Sequence, residues 1–210
     1  FYERFIKDED ITLFSPHEVP ELYEHWGTDK FDEEYEKAER KTSVFKKKIS
    51  AQELFMSMLK ERAETGRIYI MNIDHCNTHS SFKDLVTMSN LCQEITLPTA
   101  PLQHIDGEGE IALCILSAIN VGKLVYFDDL DGLCDLSVRA LDEIIEHQGY
   151  PVKAAEISTK SRRSLGIGYI GLAHYLARLG YNYGEKGAWE AVDELTEYFQ
   201  YYLLKASNNL

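Results

Sequence analysis

Ser89-Asn90-Leu91-Cys92-Gln93-Glu94, closed by Leu97-Pro98-Thr99, sets a thiol between an amide and a carboxylate at alternate positions. In an extended segment alternate side chains point the same way, so this spacing predicts that Asn90, Cys92 and Glu94 converge on one small volume. That volume would be a reaction site in miniature. The same residues also fit a half-buried strand carrying a structural cysteine, because unpaired cysteine is among the most buried residue types. Spacing alone leaves both readings open.

The sequence around this stretch alternates strand-like and helix-like segments, which indicates an α/β architecture. Downstream, Glu110 to Val121 is apolar enough for a strand buried on both faces. Asp128 or Asp129 can cap a helix with a stripe of Leu133, Leu136, Ala140, Leu141, Ile144 and Ile145, in which Cys134 is core or surface filler. Pro151 to Ser164 reads as a basic, polar loop. Leu165 to Ile170 reads as a strand, Gly171 to Leu179 as a helix ending at Gly180, and a last helix begins near Gly187. That helix repeats Trp189, Val192, Leu195, Phe199, Tyr202 and Ala206 at three- and four-residue steps.

Upstream, Ser50-Ala51-Gln52-Glu53 fits a capping box, followed by Leu54, Phe55, Met58 and Leu59 on one face and Gly66 as the stop. Arg67 to Ile73 is a β-branched and aromatic run of strand length, leading into the polar group Asp74-His75-Cys76-Asn77-Thr78-His79. Thr78 to Met88 is a polar connection into the opening motif. Phe31 to Lys48, acidic first and basic last, reads as one solvated helix aligned with its dipole. Residues 1 to 30, broken by Pro16 and Pro20, read as a short strand, a loop and a brief helix.

The 210 residues suffice for one or two domains with a buried core. With 22 Lys plus Arg against 35 Asp plus Glu, the formal charge is −13, and no basic cluster is long enough to follow a phosphate backbone. Direct nucleic-acid binding is not expected, although a few backbone N–H groups could still hold a nucleotide phosphate. Four irregularly spaced cysteines, with no signal peptide and no apolar run of membrane length, point to a reducing, cytoplasmic setting. The chain opens on Phe1 and stops inside a helical pattern, so it reads as an internal fragment.

Two motifs invite other readings. Gly166-Ile167-Gly168-Tyr169-Ile170-Gly171 matches G-x-G-x-x-G, but the second strand and acidic residue of a dinucleotide fold are missing, so close backbone packing explains the glycines better. His75, Cys76 and His79, with Cys92 as a fourth ligand, could hold a metal; H-C-x-x-H lacks the paired C-x-x-C spacing of a structural zinc site, and a polar network is the expectation.

The opening stretch, with Phe1-Tyr2-Glu3-Arg4-Phe5-Ile6-Lys7-Asp8, Thr65-Gly66-Arg67-Ile68-Tyr69-Ile70, Asp74 to His79, Gly109-Glu110-Ile111-Ala112-Leu113-Cys114 and Arg162-Arg163-Ser164-Leu165-Gly166-Ile167-Gly168, resembles the large (alpha) subunit of class I ribonucleotide reductases. The resemblance keeps its order from one end of the chain to the other. It implies the central part, residues 1–210, of a ten-stranded α/β barrel with a central finger loop. That subunit reduces ribonucleoside diphosphates to deoxyribonucleoside diphosphates for DNA synthesis.

Matched onto this chain, the resemblance makes Cys92 the transient thiyl radical at the loop tip, shielded from solvent because such a species must be. Glu94 becomes the base on the substrate 3′ hydroxyl, Asn90 holds the ribose hydroxyls and the carboxylate, the Leu91 backbone contacts substrate, and Cys114 is one half of the reducing dithiol. No metal or cofactor is implied within these residues. A metal-containing small (beta) subunit supplies the radical, ATP and deoxynucleotide effectors bind elsewhere, and thioredoxin or glutaredoxin restores the thiols. The remaining parts of the alpha subunit and an alpha homodimer are the other implied partners, and no membrane is.

The second reducing cysteine, the phosphate-binding Ser/Thr segment, the radical-relay tyrosines, the C-terminal docking cysteines and the ATP-binding domain have no match here. The chain alone is therefore expected to be inactive. A non-catalytic assembly fragment, and a metal- or thiol-dependent hydrolase built on His75, Cys76 and Cys92, are the competing expectations.

Overall fold

The side chain of Ser50 accepts a hydrogen bond from the Glu53 N–H at 3.3 Å, and Gly66 ends the same helix at φ 68°. Helix α4 (Ala51–Thr65) thus starts and stops where the capping box and the glycine require. Such a cap contributes about 1 kcal/mol. The computed structural model describes residues 1–210, in two compact units, Phe1–Thr99 and Ala100–Leu210.

In the first unit, α1 (Tyr2–Ile6) precedes β1 (Asp10–Phe14), α2 (Glu21–Glu24), α3 (Lys30–Arg40) and β2 (Lys46–Ser50). The two strands pair antiparallel, Asp10 opposite Ser50 and Phe14 opposite Lys46. The single helix expected over Phe31–Lys48 therefore ends at Arg40. The lysines that looked like its basic end form a strand, and the Lys46 ammonium turns back to donate to the carbonyls of Glu39 and Lys41. Val19, Leu22 and Ala38 form the small core, with Phe14, Phe31, Tyr35 and Val44 packed on it.

A polar clasp joins these elements. The Arg4 guanidinium donates to both Glu39 oxygens at 2.6 and 2.7 Å, the Thr12 hydroxyl donates to Glu39 at 2.6 Å, and the Tyr35 hydroxyl bridges the Thr12 N–H and carbonyl at 2.7 and 2.6 Å. Bidentate charge-assisted bonds of this kind are the strong class. The strand expected over Arg67–Ile73 is absent: no neighbouring strand offers a ladder, and β propensity is realised only against a packed neighbour. The polar group that was to sit at its end lies instead on helix α5 (Ile73–Thr78).

The second unit is built on a parallel pair, β3 (Ile115–Asn120) and β4 (Leu165–Ile170), in register from Ile115 opposite Leu165 to Asn120 opposite Ile170. Helices α6 (Asp129–His147) and α7 (Lys153–Arg162) make the crossover that parallel strands need, and α8 (Leu172–Leu179) and α9 (Lys186–Asn209) follow. Ile119, Val121, Leu130, Cys134, Leu195 and Phe199 form the main cluster of its buried core.

Strand β3 begins at Ile115 rather than the expected Glu110 and is buried on one face only, Leu116 remaining 60% exposed. The buried stripe of α6 is Leu130, Cys134, Val138, Leu141 and Ile145; this helix is apolar on two sides, and Leu133, Leu136 and Ile144 lie on the exposed one. The segment Pro151–Ser164 is mostly helix α7. Its buried face consists of Ala154, Ala155, Ser158 and Thr159, small or hydroxylated residues that give no apolar stripe, and Thr159 returns its hydroxyl to the Ala155 carbonyl at 2.8 Å.

The clasp gives the first unit an acid sensitivity. The Arg4 guanidinium, bonded to Glu39, holds that carboxyl below its ordinary value of 4.5. A depressed carboxyl stabilises the fold above the unfolded value and loses that contribution as pH falls through the folded one. We expect the melting temperature of the chain to drop between about pH 5 and pH 3, and Glu39→Gln to lower it at neutral pH while flattening this acid-side slope. Thermal unfolding followed by circular dichroism across that range checks both.

Candidate functional site

Asn90 closes a tight loop on itself. Its N–H donates to the Ile95 carbonyl at 3.3 Å, its side-chain oxygen accepts from the Ile95 N–H at 3.1 Å, and its carbonyl accepts from the Gln93 N–H at 3.1 Å. Leu91, Cys92, Gln93 and Glu94 form the tip, with Gln93 in the left-handed region at φ 60°. The extended segment expected here is therefore a turn. One residue at positive φ breaks the alternation that was to align Asn90, Cys92 and Glu94, and Asn90 spends its amide oxygen on the loop's own backbone.

The tip faces solvent: Cys92, Glu94 and Asn90 are exposed and Leu91 is 90% exposed. The dry surroundings expected for Cys92 are not provided by these residues. A cavity of about 650 Å³ in the first unit is lined by Thr12, Phe14, Trp26 and Tyr35 among others and not by the loop.

The segment leading into the loop is anchored by a residue that sequence reasoning passed over. The Asn77 side chain donates to the Val86 carbonyl at 2.9 Å and accepts from the Val86 N–H at 2.8 Å, copying a strand pairing with one amide, and Val86 is fully buried. Gly27 lies against that amide: a Cβ there would stand 2.7 Å from Asn77 Nδ2, and its φ of 73° suits glycine alone. The signal available in sequence was an asparagine inside a polar run, which by itself indicates only a turn or a cap.

His75 and His79 meet edge to face at 6.3 Å, and His79 Nδ1 lies 3.0 Å from the Thr78 hydroxyl. No three His, Cys, Asp or Glu side chains stand together as a metal-holding group, so the hydrolase reading on His75, Cys76 and Cys92 finds no ligand set here.

Cys114 belongs to the second unit. It is half-buried immediately before β3, where the Ile115 N–H donates to the Ser164 carbonyl at 3.2 Å. Four residues earlier Glu110 accepts from Arg162 Nε and Nη2 at 3.0 and 2.8 Å and from the Ala100 N–H at 2.7 Å. This ion pair, largely withdrawn from solvent, ties the approach to β3 onto α7. The remaining thiol, Cys134, is fully buried, and burial pushes its pKa up to about 11.

At the end of β4 the chain turns into α8 through Gly171 at φ 79°, where a Cβ would fall 2.5 Å from the Asn120 side-chain oxygen. Arg178 on α8 donates to the Gly122 and Leu124 carbonyls at 3.2 and 2.7 Å. The glycine match is thus a strand-to-helix turn packed against the end of a neighbouring strand, with no second βα unit for a dinucleotide.

Accessibility and charge state predict different fates for the thiols. Iodoacetamide at about pH 8 should label Cys92 rapidly and leave Cys134 unmodified until denaturant is added, since the thiolate is the nucleophile. Peptide mass mapping over time reads the order, and early labelling of Cys134 would contradict the buried placement.

The family model for the ribonucleotide reductase barrel domain matches residues 1–210. The ribonucleoside-diphosphate reductase subunit alpha of Haemophilus influenzae is 53% identical over 215 residues, covering 100% of this chain and 28% of the relative. Subunit alpha of reductase 1 from Escherichia coli is 50% identical with the same coverage, and that of Enterobacteria phage T4 is 42% identical over 216 residues. The chain spans about 28% of the length of the curated relatives it matches.

Proposed function

Because the chain belongs to the ribonucleotide reductase barrel-domain family, we propose that it contributes the radical cysteine, its base and one reducing thiol to a ribonucleoside-diphosphate reductase alpha subunit. The observation that carries this reading is the Asn90-closed loop, which presents Cys92 at a tip with Glu94 two residues away. The exposure of that tip favours a chain that is silent alone and becomes competent when further polypeptide covers it. We propose that this cover is the rest of a ten-stranded barrel, with the loop as its finger.

In the proposed reaction the Cys92 thiyl takes the 3′ hydrogen atom of a ribonucleoside diphosphate, and Glu94 accepts the 3′ hydroxyl proton as the 2′ hydroxyl leaves as water. Cys114 and a second thiol outside these residues supply two electrons and two protons and end as a disulfide. Cys92 then returns its hydrogen to C3′. A small subunit supplies the radical, thioredoxin or glutaredoxin restores the dithiol by exchange, and nucleotide effectors act outside these residues. Asn90 has a double duty in this scheme: its oxygen holds the loop shut, which leaves the amide N–H₂ to face the ribose hydroxyls and Glu94.

In the assembled subunit, Glu94→Gln should lower reduction by about 10²–10⁴-fold, and Cys92→Ser should remove it, both with nucleotide binding largely retained. Deoxynucleotide formation assayed by chromatography, alongside equilibrium binding of the diphosphate, reads the two effects. Turnover by the isolated 210-residue chain, given a small subunit and reductant, would overturn the proposal that outside polypeptide completes the site.

A further inference from the structure

The glycines of the G-x-G-x-x-G match do different things, and the first lies against a thiol. In the parallel register Gly166 is opposite Leu116, with Cys114 two residues earlier on the same chain. A Cβ built on Gly166 would stand 2.8 Å from the Cys114 sulfur and 2.6 Å from Cδ2 of Leu116, inside the 3.0 Å that real Cβ atoms respect. The nearest backbone atom, the Ile115 oxygen, is 4.0 Å away. Gly166 is not among the positive-φ glycines, so the backbone does not demand glycine there.

What the missing side chain supplies is room, and one of the two groups that use the room is a sulfur. The other, Leu116, is 60% exposed, and the atom a Cβ would meet is the far end of its side chain. Gly168 provides the contrast: it is the next residue on the same face of β4, and a Cβ there would meet nothing within 4 Å.

We propose that Gly166 is a positioning residue for Cys114, its bare backbone forming the hollow that fixes where the thiol sits and which way it is presented. This rests on the reading of Cys114 as a reducing thiol. In that step two thiols lose two electrons and two protons and join as a disulfide, while the substrate 2′ carbon exchanges its hydroxyl for hydrogen and the hydroxyl leaves as water. Disulfide formation accepts only a narrow range of sulfur positions and dihedral angles, and a rotamer change at Cys114 takes the sulfur out of that range.

The test uses the complete alpha subunit with its small subunit and a dithiol reductant, comparing Gly166→Ala, Gly168→Ala and Cys114→Ala. Gly166→Ala should lower kcat by about 10–100-fold with KM unchanged, as expected when a reacting group is misplaced by an ångström. It should also lower the deoxynucleotide formed in a single turnover without external reductant. Gly168→Ala should match the parent in both assays. Gly166→Ala behaving like Gly168→Ala while Cys114→Ala is inactive overturns the positioning role and leaves the reading of Cys114 intact. Cys114→Ala turning over at the parent rate removes that reading, and the positioning role with it.

Melting temperatures of the double variant separate positioning from simple instability. With the sulfur removed, Gly166→Ala should cost less stability in the Cys114→Ala background than in the parent, even if the single variant is too unstable to assay. Equal losses in both backgrounds would overturn the proposal.

Discussion

The parallel ladder between Ile115–Asn120 and Leu165–Ile170 is the constraint on which the second unit depends. Parallel strands cannot be joined by a tight turn, so the chain between them has to travel back, and α6 and α7 are that return path. The return buries Leu130 and Cys134 in the helix and strand core and brings Arg162 back to Glu110. The register also decides which side chains meet. It sets Gly166 opposite Leu116, where the Cys114 sulfur occupies the space a side chain would fill, and brings Asn120 to Gly171 at the far end. A slip of one residue would turn every inward side chain outward and separate both pairs.

The first unit relies on polar closure more than on apolar bulk. Its buried apolar cluster is Val19, Leu22 and Ala38, with Ala51 and Val86 buried apart from it, and the Arg4, Glu39, Thr12 and Tyr35 clasp ties the first helix, β1 and α3 together. Asn77 does a comparable job further along, holding the buried Val86 by both of its backbone groups. The loop that carries Cys92 closes in a related way, Asn90 holding the Ile95 N–H with its side-chain oxygen and the Ile95 carbonyl with its own backbone N–H. Side-chain amides here replace strand neighbours, giving local order to segments that have no ladder.

Where a local rule governed the outcome, the sequence was readable. Ser50 and Gly66 bracket α4 as their chemistry requires, and Leu165–Ile170 with Gly171 and Gly180 gave the strand, the turn and the helix end in order. Where the outcome depended on a partner, it was not. Arg67–Ile73 has the composition of a strand and no strand beside it. Lys46–Lys48 looks like a helix end and pairs with β1. Helix α7 buries alanines and hydroxyls, which periodicity of large apolar residues cannot detect. For the site, the motif located Cys92 and Glu94 on one short loop but not the turn at Gln93, because positive φ at a glutamine is a property of the closed loop and not of the residue. The neighbour of Cys114 was legible only as a glycine pattern; that its emptiness faces a sulfur required the register.

Each strand of the parallel pair has a neighbour on one side only, and Leu116 and Ile170 stand 60% and 54% exposed along it. An unpaired ladder edge is a template for a further strand. In this chain alone the opposing influence is its formal charge of −13, which keeps copies apart electrostatically and weakens as salt screens it. Colloidal behaviour is then tied to ionic strength: light scattering from concentrated chain should climb as salt is added, and a flat response would mean that the edges are protected in some other way.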